Sequence, residues 1–116
     1  MKKILIYAAV ILFITAAAGP ALAHPPKNVN MAWDSGSETL TVSAEHNVNA
    51  PDKHYILTLT VFEGNKQLLL KQYDRQGTAG GFSDSVILKG LRSGSQVRVQ
   101  LVCNIMGSIE NDITIP

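Results

Sequence analysis

The chain has 116 residues, with ten basic and nine acidic side chains, one cysteine and three histidines. A formal charge of +1 and an aromatic content of 6% argue against a nucleic-acid partner, which would need a basic stripe or a row of stacking rings. A lone cysteine forms no disulfide within the chain, so stability must come from strand packing, with a bound ion as the available supplement.

Lys2-Lys3, an apolar run over 4–18, a Gly19-Pro20 break and Ala21-Leu22-Ala23 make up a secretory signal with a small-x-small cleavage site. Residues 1–23 are therefore expected to leave the mature chain after Ala23. The apolar run falls short of the about 20 residues that a membrane span needs, and no later segment supplies one. The expected product is soluble and periplasmic or extracellular. Taking Lys2 and Lys3 from the ten basic residues leaves eight against nine acidic ones, a charge near −1 that argues against an anionic membrane surface as partner. The remainder, 24–116, suffices for one small domain with a single core.

Periodicity over this remainder is that of strands. Val29, Met31 and Trp33 alternate with Asn28, Asn30 and Ala32. The turn residues Asp34-Ser35-Gly36-Ser37 then lead into Leu40, Val42 and Ala44, alternating with Thr39, Thr41 and Ser43, which predicts a first hairpin. His46 follows this second run, a polar loop occupies 47–53, and His54 precedes a third run in which Leu57, Leu59 and Val61 alternate with Thr58 and Thr60. Glu63-Gly64-Asn65-Lys66 turns the chain into a fourth run through Leu68 and Leu70 to Tyr73, a second hairpin. The glycine-rich stretch 77–81 lacks the Lys and Ser/Thr of a phosphate-binding loop and reads as a mobile hairpin loop before a fifth run over 82–88. After the 89–94 connection, Val97, Val99, Leu101 and Cys103 share one face of a sixth run, with Arg98 and Gln100 on the other, and Ile113 with Ile115 closes a short last strand. Such regularly spaced short strands and turns predict a seven-stranded immunoglobulin-like antiparallel β-sandwich rather than a parallel sheet.

The good nitrogen and sulfur ligands, methionine apart, are His24, His46, His54 and Cys103. Strand parity places Cys103 on the inward face with Val97, Val99 and Leu101, where the loop 104–107 ends the strand. His46 and His54 bracket one loop, and sandwich connections gather at two poles, so these side chains have a route to a common site. Taken singly, each histidine is also accounted for as a solvated loop residue, and Cys103 as a small buried hydrophobe. A Ser-His-Asp arrangement with a nucleophile elbow, a phosphate-binding glycine motif and a Cys-x-x-Cys pair are all missing, which ranks hydrolase and nucleotide-binding functions low.

His46, Pro51-Asp52-Lys53-His54-Tyr55-Ile56 and Val102-Cys103-Asn104-Ile105-Met106-Gly107 resemble the ferrous-iron domain of the superoxide reductase family, the catalytic part of desulfoferrodoxins and neelaredoxins. The resemblance covers most of the expected mature chain, from His24 to about Ser108. It implies one Fe(II) held in an immunoglobulin-like sandwich by histidines and an axial cysteine, and superoxide reduced to peroxide at an open position with electrons from an external donor. Carried over, His24, His46 and His54 are the equatorial nitrogens and Cys103 the axial thiolate. Met106 stands where the family's last ligand histidine is expected, the 47–53 loop is two residues longer, the family's Glu-Lys pair before the first ligand has no counterpart, and its cysteine-rich rubredoxin-like domain is missing.

Methionine is a soft ligand poorly matched to Fe(II), so His24, His46, His54, Cys103 and Met106 also make the roster of a copper-binding or electron-transfer module. Alternatively, Met106 fills the pocket that the lost histidine vacates. Cleavage after Ala23 would leave His24 first in the chain, where its amine and imidazole can chelate copper as a brace; the plainer expectation is a frayed His24-Pro25-Pro26 terminus. Lys53, beside His54, either guides an anionic substrate or is a solvated loop lysine. A metal-free immunoglobulin-like binding module that keeps only the scaffold is the third reading.

Overall fold

Alternating apolar and polar residues become seven strands in the computed structural model, which describes residues 24–116. These are β1 (Lys27–Asp34), β2 (Thr39–Glu45), β3 (Ile56–Glu63), β4 (Lys66–Gln72), β5 (Gly81–Ile87), β6 (Gln96–Cys103) and β7 (Ser108–Thr114). The predicted signal peptide, 1–23, lies outside the described residues. One sheet has the order β1-β2-β5 and the other β4-β3-β6-β7, with every pairing antiparallel. The expected all-β antiparallel sandwich is present, and β1–β2 and β3–β4 are the two predicted hairpins.

The core follows strand parity. Leu40, Val42 and Ala44 of β2, Leu59 and Val61 of β3, and Val97, Val99 and Leu101 of β6 turn inward and are buried between the sheets. Each such leucine or valine contributes about 1.5–3 kcal/mol by leaving water. Val29, Met31 and Trp33 on β1 and Ile109 and Ile113 on β7 close one side of this core, where Asn111 Nδ2 donates to Val29 O at 3.2 Å.

Two expectations change. The last strand is not a short Ile113–Ile115 segment: it starts at Ser108, pairs Leu101 with Ile109 and Val97 with Ile113, and leaves Ile115 buried beyond its end. As an edge strand with one solvated face, β7 carries Ser108, Glu110, Asn111 and Asp112, which hide its pattern from an apolar count. Nor is 77–81 a mobile hairpin loop, because β4 and β5 belong to different sheets. It is a crossover held against the chain after β2, with His46 N–H donating to Gly80 O (3.2 Å) and Val48 N–H to Ala79 O (2.8 Å). Gly81 is required there, since a Cβ would stand 2.6 Å from the Ala44 carbonyl oxygen.

A polar link ties the facing edges of the two sheets. Tyr73, just past β4, donates its hydroxyl to Asp84 Oδ2 on β5 at 2.5 Å, and Lys71 Nζ lies 2.7 Å from the same oxygen. Burial, then the adjacent carboxylate, pushes the Tyr73 hydroxyl well above its ordinary range and keeps it a donor. Burial alone would raise the Asp84 pKa, but the bonds from Lys71, Tyr73 and the Ser85 amide outweigh it and hold the carboxyl below its ordinary value of 3.8. A folded carboxyl that resists protonation stabilises fully above its unfolded value and loses that contribution as pH falls below it. Asp84→Asn is expected to cost about 1 kcal/mol at neutral pH, less than a buried charged hydrogen bond because Lys71 is half exposed. Urea denaturation should show the gap between wild type and variant closing as pH drops below 3.8.

Candidate metal centre

The inward parity of β2 continues one step past the strand, so that after Leu40, Val42 and Ala44 it is His46 that turns inside, 1% exposed. The parity of β6 likewise delivers Cys103, 4% exposed, at the strand's last position. His54 stands two residues before β3, whose first residue, Ile56, is in register with Cys103. The ligand atoms of His46, His54 and Cys103 all lie within 4.8 Å of one another. Nitrogen and sulfur ligands of one first-row ion, with bonds of about 2.1 and 2.3 Å, sit about 3.1 Å apart at right angles and about 4.4 Å apart when opposite, so these three can close on one ion once their side chains draw inward.

His24 reaches the same pole but stands beside the trio. Its ring centroid is 5.2 Å from that of His46 and 5.5 Å from that of His54, while the latter two are 4.7 Å apart. Its Nε2 donates to Asn47 O at 2.7 Å, which in a neutral ring leaves the lone pair on Nδ1, 3.4 Å from Pro25 O. The frayed terminus expected for His24-Pro25-Pro26 is not what forms. Pro26 is fully buried, and Pro25 crosses directly over Gly107, where a Cβ would come within 2.7 Å of the proline ring. Glycine at φ +89° permits both the turn and the crossing.

Two asparagines and a glutamine hold the ligand segments together. Asn104 Oδ1 accepts from Tyr55 N–H (2.9 Å) and its Nδ2 donates to Lys53 O (2.9 Å), while Asn104 N–H donates to Tyr55 O (3.0 Å). The loop after Cys103 is thereby clamped to both neighbours of His54. Asn47 anchors His24, and Gln76 bonds both the ring and the backbone of His46. The spacing pattern of the sequence singles out neither Asn47 nor Gln76, whereas Asn104 adjoins the cysteine in the motif itself. Asn104→Ala should lose about 1–3 kcal/mol by stranding the half-buried Tyr55 amide and the Lys53 carbonyl. In urea denaturation of the metal-free protein, Asn104→Asp, which keeps the acceptor, should recover part of the loss.

The surroundings of His54 favour its neutral imidazole. Burial first, then the nearby His46 and His24 rings, hold the His54 imidazole below the ordinary histidine range. His54 Nε2 is buried with no hydrogen-bond partner, an arrangement that costs about 1–3 kcal/mol unless something accepts its lone pair or its proton. Ile105 N–H approaches Cys103 Sγ at 3.5 Å, a contact that stabilises negative charge on the sulfur. Imidazoles with one thiolate are the donor set of iron, copper or zinc rather than of calcium or magnesium, and the orphaned nitrogen fits a metal-bound state. A cleft of about 330 Å³ opens beside His24 and His46 and is lined also by Pro25, Lys27 and Glu45.

Met106 does not fill a vacated pocket. It is 55% exposed and its neighbour Ile105 54% exposed, because the tight return through Gly107, which accepts from Cys103 N–H at 2.9 Å, carries the loop tip outward. Lys53 is also exposed.

No protein-family model matches the chain, and no curated protein matches it. A solved structure does. The superoxide reductase (1Fe-SOR) from Giardia intestinalis superposes with a TM-score of 0.56 at 24% sequence identity, over 79% of this chain and 97% of that one. The fold is superoxide reductase-like. Within that fold, two histidines and a cysteine from three separate segments gather at one pole of the sandwich.

Proposed function

We propose that this chain is an exported mononuclear iron protein of the superoxide reductase type, in which His46, His54 and Cys103 bind Fe(II) and His24 adds a further nitrogen. The observation that carries this is the convergence of two imidazoles and one thiol within 4.8 Å on a superoxide reductase-like fold. When bound, ferrous iron supplies the electron that turns superoxide, with two protons, into hydrogen peroxide, and an external donor later returns it. Cys103 would contribute electron density through its thiolate, and the imidazoles favour the ferrous ion. His24 can offer Nδ1 without giving up its bond to Asn47. Met106, turned outward, is not among the residues that would hold the ion. The proposal includes the predicted leader and hence a periplasmic or extracellular site of action.

One observation favours a second reading. The three side chains whose ligand atoms converge are two histidines and one cysteine, the equatorial set of blue-copper electron carriers. The exposed Met106 does not supply the axial thioether such a centre would use.

The test is to load the mature protein anaerobically with Fe(II), or separately with copper, and to expose it to an enzymatic superoxide source. With no donor present, the iron protein should consume one superoxide per Fe(II), which is oxidised to Fe(III), and yield one peroxide without evolving oxygen. Oxygen evolution, or consumption no faster than spontaneous decay with a copper-selective site, would replace the iron reading with dismutation or electron transfer. The absence of stoichiometric uptake of either metal would reduce the chain to a binding module on an inherited scaffold.

A further inference from the structure

Gln76 lies in the crossover between β4 and β5, 30 residues from His46 in sequence, and its side chain is 3% exposed. A buried carboxamide must satisfy both of its ends, and this one does so around His46. Its Nε2 donates to His46 O at 2.8 Å and to Thr78 O at 2.9 Å. Both partners are carbonyls, which only accept, so the amide can take one orientation alone. Oε1 therefore faces His46 Nδ1, at 2.7 Å. A second acceptor, His24 O, lies 3.3 Å from His46 Nε2, but a neutral ring has one proton to give and the contact with Gln76 Oε1 is the shorter by 0.6 Å; Nδ1 therefore carries the proton and the lone pair resides on Nε2. Gln76 N–H also donates to Pro51 O at 2.9 Å, so the same residue pins the 47–53 loop that leads to His54.

We infer that Gln76 is the positioning residue of this centre: it locks His46 in the Nδ1–H tautomer and thereby presents Nε2 as the ligating nitrogen. Which ring nitrogen binds a metal is set by the hydrogen bond that the other one makes, and partners of this kind typically change metal affinity by 10–100-fold. The usual partner is a carboxylate, a backbone carbonyl or water. A neutral carboxamide fixes the tautomer without adding negative charge, so the charge of the site stays with Cys103. The consequence for metal binding rests on the function proposed above; the tautomer itself is readable in the metal-free protein.

The experiment is a long-range proton–nitrogen correlation spectrum of the histidine rings in the metal-free mature chain, recorded where the rings are neutral, for wild type, Gln76→Met and Gln76→Glu. Wild-type His46 should show Nδ1–H. Gln76→Met, of similar volume but without an acceptor, should shift His46 toward Nε2–H while the backbone amide spectrum stays native. Gln76→Glu, which restores the acceptor, should return the Nδ1–H signature. Cobalt(II) titration should follow the tautomer, with affinity about 10–100-fold weaker in Gln76→Met and largely regained in Gln76→Glu. An Nε2–H wild-type ring, or a Gln76→Met chain with unchanged tautomer and affinity, would overturn the inference. A wild-type Nδ1–H signal that Gln76→Met abolishes, in a chain that takes up neither cobalt nor iron, would uphold the hold of Gln76 on His46 and overturn the metal reading instead.

Discussion

Cys103→Ser is expected to abolish the visible charge-transfer band of the oxidised, iron-loaded protein and to weaken Fe(II) binding by well over the roughly 10–100-fold that loss of a supporting residue costs. The reason is the composition of the converging set. His46 and His54 offer neutral nitrogens, and Cys103 is the one member that can bring formal negative charge to the ion. Serine keeps the size and can still accept from Ile105 N–H, so the fold should survive, at a cost of about 1–3 kcal/mol for a less well matched buried hydroxyl. Absorbance titration measures the first effect and urea denaturation of the metal-free protein the second. A band that persists in the variant would mean that the sulfur is not a ligand.

Leu101→Ala should cause the largest loss of stability among single substitutions near the site, about 2–5 kcal/mol. Leu101 is fully buried, two residues before Cys103 on the same face of β6, and it is paired with Leu59 on β3 and Ile109 on β7. Removing three carbons there opens a cavity at the centre of the four-stranded sheet. In a domain whose total stability is on the order of 5–15 kcal/mol, that is a large share. Gln100→Ala, one residue away on the opposite face, should stay within about 0.5 kcal/mol. Chemical denaturation of the two variants side by side checks the contrast, and equal losses would show that the inward parity of β6 is wrong.

The part of the site that was legible in the sequence was the part governed by a period of two. Alternation through Val97, Val99 and Leu101 continues to Cys103 and turns it inward, whereas His46, which continues the alternation of Leu40, Val42 and Ala44, also read as a solvated loop histidine and is buried. The sandwich itself was readable for the same reason. What escaped was set by contacts that leave no periodic trace. Whether 73–80 joins two strands of one sheet or crosses between sheets depends on where β4 and β5 pair and on the Tyr73–Asp84 link, which local turn chemistry does not encode. Ser108 to Asp112 stayed outside the expected last strand because an edge strand solvated on one face can be almost wholly polar. Gln76 and Asn47 looked like ordinary loop residues, since their partners lie 30 and 23 residues away. Met106 held a ligand's place in the count of residues, but spacing fixes a position and not the direction in which a side chain points. The strap formed by His24, Pro25 and Pro26 depends on Gly107 lacking a Cβ, a steric fact visible only once the two segments are opposed.

The most direct test of the central claim is X-ray absorption spectroscopy at the iron edge on the mature protein loaded anaerobically with one equivalent of Fe(II). The account predicts one sulfur bound to iron together with nitrogen ligands showing the outer-sphere pattern of imidazole, and loss of the sulfur contribution in Cys103→Ser. An iron surrounded by oxygen and nitrogen alone, identical in the two proteins, would contradict it.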